Sequence, residues 1–198
     1  MKNDTPSETF SATSPEDERG AFGMRLFLLS LSVLFAASLV GYAVIRVRTG
    51  EGVDIHLPSS LWWSTVVMIL SGIAIMRASR AAQSGQTVPL RNGLLTGFAL
   101  SLVFLAIQIP SVAALLAEHA AMRSERFYLY GFALILIILH ALHVLGGLVP
   151  LAVVTIRTVL DPNYYHPHHF GPVRFVSMYW HFLEAVWIIM FAMLLILG

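Results

Sequence analysis

The chain contains no cysteine among its 198 residues. Disulfides, thiolate nucleophiles, iron–sulfur clusters and cysteine-ligated zinc are therefore excluded. Charge is scarce as well. Asp, Glu, Lys and Arg make up 12% of the residues, where a soluble domain carries about 25%. The net charge of +1 leaves no electrostatic footprint for a nucleic-acid partner. There is no glycine-rich phosphate loop, no nucleophile-elbow motif and no internal repeat, and nothing marks a small-molecule substrate site. What remains is apolar. Hydrophobic residues make up 57% of the chain and the mean hydropathy is +0.76, so this reads as an integral membrane protein.

About 20 apolar residues are needed to cross a bilayer as a helix. Five runs meet that need, at about 24–45, 60–76, 94–116, 127–155 and 175–197. The fold class is thus all-α integral membrane, a five-transmembrane-helix bundle over residues 21–198. Arg46 and Arg48 close the first run, and Gly50, Gly52 and Pro58 break the chain after it. Trp62 and Trp63 start the second run, where amphipathic rings favour the membrane interface. Gln108 and Pro110 interrupt the third. Residues 1–20 are polar, with a Glu16-Asp17-Glu18-Arg19 cluster, and read as a flexible or surface-lying tail rather than a signal peptide.

Five crossings put the two termini on opposite sides. Lys2, Arg19, Arg25, Arg77, Arg80, Arg91, Arg157 and Arg174 share one side, while Arg46, Arg48, Arg123 and Arg126 share the other. Positive residues are retained on the cytoplasmic side, so the N-terminus is expected inside and the C-terminus outside.

The informative residues are the polar intrusions. His140 and His143 lie three apart on the fourth run, as do His181 and Glu184 on the fifth, so each pair shares a helix face. Glu184 sits about 14 Å into its run at 1.5 Å per residue, near mid-membrane. A charge there costs about 2.5–3.5 kcal/mol on insertion scales, so such groups face protein and find partners. The expected partner of each pair is the other, across helices four and five. A metal site is the competing reading, because His and Glu on facing helices occur in di-iron bundles. Such a site needs about four carboxylates, and Glu184 is the only acid within the five runs. A structural polar cluster with a possible proton relay through Glu184 is the better reading. His166, His168 and His169 cluster between the last two runs. They read as an ordered turn with Pro167, Gly171 and Pro172, or as an inner-surface proton-collecting loop. Gly146-Gly147, one turn past His143, permits close helix approach.

Three motifs carry a resemblance. They are Leu139-His140-Ala141-Leu142-His143-Val144-Leu145-Gly146-Gly147, His168-His169-Phe170-Gly171, and Tyr179-Trp180-His181-Phe182-Leu183-Glu184-Ala185-Val186-Trp187. In order and spacing the chain resembles subunit III of haem–copper terminal oxidases, from about residue 20 to the end. Gly23-Met24-Arg25-Leu26-Phe27-Leu28-Leu29-Ser30 and Leu61-Trp62-Trp63-Ser64-Thr65 add to the likeness. The resemblance implies a non-catalytic subunit that binds no haem, copper or other cofactor. It would pack against catalytic subunit I, carry tightly bound phospholipid and support proton uptake, with haem and copper in partner subunits. It also implies a bacterial inner-membrane location. The electron donor could be cytochrome c or quinol, and a nitric oxide reductase partner or a stand-alone metalloenzyme are the alternatives. Long members of that family have seven helices, and this chain matches the short five-helix form. Leu31 stands where the family has an acid, so no role of that carboxylate carries over. Glu184 stands where the family has Asp, and Ile107-Gln108-Ile109-Pro110-Ser111 where it often has a Glu-Tyr after Leu-Gln.

Overall fold

The computed structural model describes residues 15–49, 59–121, 126–161 and 171–197. Five helices are present among them: α1 (Pro15–Thr49), α2 (Ser60–Gln83), α3 (Thr87–Ala121), α4 (Arg126–Leu160) and α5 (Gly171–Leu197). All five are long and apolar enough to cross a membrane. An all-helical answer is what hydrocarbon demands, since a helix satisfies its backbone hydrogen bonds within one segment. The side-chain hydroxyls follow the same rule. Ser32 donates to the Leu28 carbonyl at 2.8 Å, Ser38 to Leu34 at 2.9 Å and Thr158 to Val154 at 2.8 Å, so each is satisfied one turn back on its own helix.

The helices outrun the apolar runs that signal them. At 35 residues each, α1, α3 and α4 extend about 52 Å against about 30 Å of hydrocarbon. The end expected at residue 76 is instead the middle of a turn, and α2 continues through Arg77 and Arg80 to Gln83. A helix leaving the hydrocarbon has no reason to unwind, because its backbone is already paired and long basic side chains reach the head groups. At its other end α1 starts at Pro15, inside the segment read as tail. Proline suits the first helical position, where its missing N–H has no helical partner to lose. α3 likewise runs unbroken through Pro110.

The α2–α3 link is three residues, Ser84 to Gln86. Gly85 has φ 67°, and its N–H donates to the Ala82 carbonyl at 3.2 Å while the Gln86 N–H donates to Ala81 at 2.9 Å. This is a Schellman turn, which needs the left-handed conformation that glycine adopts without steric cost. It folds α3 directly back along α2. Gly93 and Gly97, four apart, then let the two backbones close. A Cβ on Gly97 would lie 2.5 Å from Ile75 Cγ1, and one on Gly93 would lie 2.9 Å from the Ala78 Cβ. Ser71 and Ser101 hydrogen bond across the seam at 3.0 Å.

The packing order is α2 against α3 and α5, α4 against α3 and α5, and α1 against α4 and α5. Helices α2 to α5 therefore close a four-membered ring, with α1 lying on the α4–α5 seam. The fully buried centre is aromatic and aliphatic, with Trp180, Trp187, Phe35, Phe104, Leu61 and Met68 among its largest members.

Candidate functional site

Four helices meet around one imidazole, and α2 joins them through Trp187. His140 of α4 is wholly buried. The Trp187 ring of α5 lies 5.2 Å away with its plane tilted by 34°. Phe35 of α1 and Phe104 of α3 each lie 6.3 Å away, edge-on. Trp187 Nε1 donates to Thr65 Oγ1 of α2 at 3.0 Å, and Thr65 itself donates to the Leu61 carbonyl at 2.8 Å. The stack continues outward through Phe191, parallel to Trp187 within 1° at 6.3 Å, to Trp62 at 5.1 Å. Both ring nitrogens of His140 lack a hydrogen-bond partner among the described residues. Aromatic rings of α1, α3 and α5 surround it.

His143, one turn on, is half-buried. Its Nδ1–H donates to the Leu139 carbonyl at 2.7 Å, and Phe35 lies 5.1 Å from its ring. The contact that joins α4 to α5 here is not made by its side chain. Tyr179 Oη–H donates to the His143 carbonyl at 2.9 Å, with the Tyr179 ring lying over Gly147, where a Cβ would come within 2.5 Å of it. Gly147 thus gives the close approach anticipated for the glycine pair. Gly146 faces open space.

His181 and Glu184 are brought together. His181 Nδ1 and Glu184 Oε2 are 3.0 Å apart, one turn along α5. Glu184 faces α2 rather than α4: its carboxylate packs on the backbone at Gly72, where any Cβ would overlap it. The hydrogen bond expected between the α4 pair and the α5 pair is therefore replaced by one within α5, and among the described residues none joins the two pairs. The reason is rotational. Tyr179, Trp180, Leu183 and Trp187 hold the buried arc of α5, and at 100° per residue that leaves Glu184 at the edge of the arc and His181 beyond it. Among the described residues, no three metal-ligating His, Asp or Glu side chains come together. His166, His168 and His169 lie outside the described residues.

The sequence reading assigns no role to Phe35, Thr65 or Gly72. Gly72 had a signal, a lone glycine inside an apolar run, which often marks close approach. A groove of about 690 Å³ opens between α1, α4 and α5, with Met24, Phe27, His143, Gly146 and Tyr179 on its walls and Arg157 at one end. A second, of about 370 Å³, lies between α3 and α4 and carries Gln108 as its polar side chain.

Five helices long and apolar enough to cross a membrane, packed around an aromatic interior, define a class, that of multi-pass membrane proteins. The family follows from comparison with known proteins. The family described as cytochrome c oxidase subunit III matches residues 15–198, and the chain belongs to it. It is 27% identical to cytochrome c oxidase subunit 3 of Synechocystis sp. over 202 residues, 98% of this chain and 82% of that protein. It is 30% identical to cytochrome bo(3) ubiquinol oxidase subunit 3 of Pseudomonas aeruginosa, over 89% of this chain and 84% of that one. It is 28% identical to quinol oxidase subunit 3 of Bacillus subtilis, over 89% and 86% respectively.

Proposed function

We propose that this chain is a non-catalytic subunit of a proton-pumping haem–copper terminal oxidase, seated against catalytic subunit I and holding no redox centre of its own. The observation that carries the reading is the use made of the intramembrane polar residues. His140 is enclosed by aromatic rings, His143 bonds to its own helix, and Glu184 is seated on α2 beside His181. Redox work or metal binding needs such groups converging on a shared site, and among the described residues no three of them do. Haem and copper belong, on this reading, to the partner subunits.

The subunit sits in a bacterial inner membrane with its N-terminus inside, an orientation supported by the arginines of the 77–91 segment and by the absence of acids there. Phospholipid fills the groove between α1, α4 and α5, its chains along Met24, Phe27 and Val153 and its head group at the Arg157 end. The His166, His168 and His169 segment supports proton uptake at the inner face. Relatives named for cytochrome c and for quinol support either electron donor.

The test is purification of the tagged chain in mild detergent, with the associated proteins identified by mass. The expected outcome is a larger haem-containing membrane subunit in fixed ratio. A chain recovered alone, or one that itself carries stoichiometric iron or zinc, would overturn the proposal. Gly146→Phe places a ring in the groove without a clash, since nothing lies within 4 Å of a Cβ there. It should reduce the bound lipid seen by native mass spectrometry while leaving the fold intact. Replacing His166, His168 and His169 together should slow turnover and shift its pH dependence, and an unchanged profile would remove the proton role.

A further inference from the structure

We infer that the outward stripe of α5 centred on His181 is the surface on which the neighbouring oxidase subunit seats, and that this subunit brings a hydrogen-bonding group to Nε2 of His181. The inference deepens the reading above and rests on it.

His181 and Glu184 lie at the midpoint of α5, with Glu184 thirteen residues from each end of Gly171–Leu197. The Glu184 side chain is 15% exposed, tucked against Gly72, but the His181 side chain is 39% exposed. Its ring therefore stands on the outside of the bundle at a depth where the surroundings are hydrocarbon unless protein covers it. Ionisable groups at that depth face protein or a water-filled cavity, and neither of the two grooves described above is lined by His181. The exposed part of the ring is left open by the described residues, and its cover is assigned to the neighbouring subunit. Ala185 and Ile188 continue the same stripe at helical spacing. Ala185 is exposed and small, so a partner helix can approach the imidazole closely.

The geometry of the pair singles out one nitrogen. Nδ1 of His181 is engaged by Glu184 Oε2 at 3.0 Å, so Nε2, on the far side of the ring, is the nitrogen left for a partner. It calls for a polar group from the neighbouring subunit, such as a hydroxyl or a side-chain amide.

The experiment uses the assembled complex purified through a tag on this chain. A photo-crosslinking residue at Ala185 should give adducts with the neighbouring subunit. One at Ile135, exposed on the outer face of α4, serves as the comparison and should give few. His181→Phe keeps a ring and removes both nitrogens, and should weaken retention of that subunit about threefold, the scale of one interhelical hydrogen bond. His181→Gln keeps an N–H of similar reach and should retain it within about twofold. Adducts from Ala185 confined to lipid, or His181→Phe retaining the subunit as well as His181→Gln does, would overturn the inference while the complex itself persists. A tagged wild-type chain that retrieves no oxidase subunit would instead overturn the proposed function, and this surface with it.

Discussion

The α2–α3 hairpin and the α4–α5 pair solve the same problem by opposite means. The hairpin is joined by a three-residue Schellman turn and zipped by Gly93, Gly97, Ala78, Ser71 and Ser101, small residues that bring backbones together. Van der Waals contact and interhelical hydrogen bonds are what hold helices together where there is no water to exclude. The α4–α5 pair is held by large rings and by polar groups, Tyr179 on the His143 carbonyl and Trp187 beside His140. Grooves open beside α4, and the His181 imidazole of α5 stays partly exposed. The hairpin is closed along its length by small residues, whereas the α4–α5 pair is not.

Substitutions can break this contrast at either end. Trp187→Ala should have the largest effect, about 3–5 kcal/mol, because it empties the space beside His140 and Phe104 and removes the hydrogen bond to Thr65. The expected result is a chain that loses its thermal transition in detergent. Gly97→Leu should cost about 1–3 kcal/mol by forcing α3 off Ile75, and a stability loss of only a few tenths would mean the hairpin is looser than described. Gly72→Ala sharpens the comparison, since its Cβ meets a movable carboxylate rather than a backbone. We expect about 1 kcal/mol lost, most of it recovered when Glu184→Ala is added. Additive losses in that double-mutant cycle would show that the two residues do not touch. Tyr179→Phe should be the mildest, about 0.6 kcal/mol for one interhelical hydrogen bond.

The five helices were legible because hydrocarbon permits little else for a run of about 20 apolar residues. Their ends were not. Arg77 and Arg80 look like a terminus, yet a paired backbone carries on through the head groups to Gln83. The site was half legible. Spacing places His181 and Glu184 on one face, and they do bond. Spacing says nothing about which neighbour that face meets, and the rotation of α5 is set by Trp180, Leu183 and Trp187, whose 3–4 rhythm marks the buried arc. Reading those rings first would have put Glu184 at the arc's edge. Gly93-x-x-x-Gly97 was equally visible in the sequence, as a small-residue motif within an apolar run.

The central claim is that the intramembrane polar groups of α4 and α5 serve packing and contact rather than chemistry. His140→Phe tests it most directly, because phenylalanine keeps the ring among Phe35, Phe104 and Trp187 and removes two buried nitrogens that lack partners among the described residues. Thermal stability and turnover of the assembled oxidase would be measured together. The account predicts a melting temperature equal to or above wild type and turnover within about twofold, since relieving an unsatisfied buried group is worth about 1–3 kcal/mol. A fully assembled, stable complex that has lost turnover would contradict it.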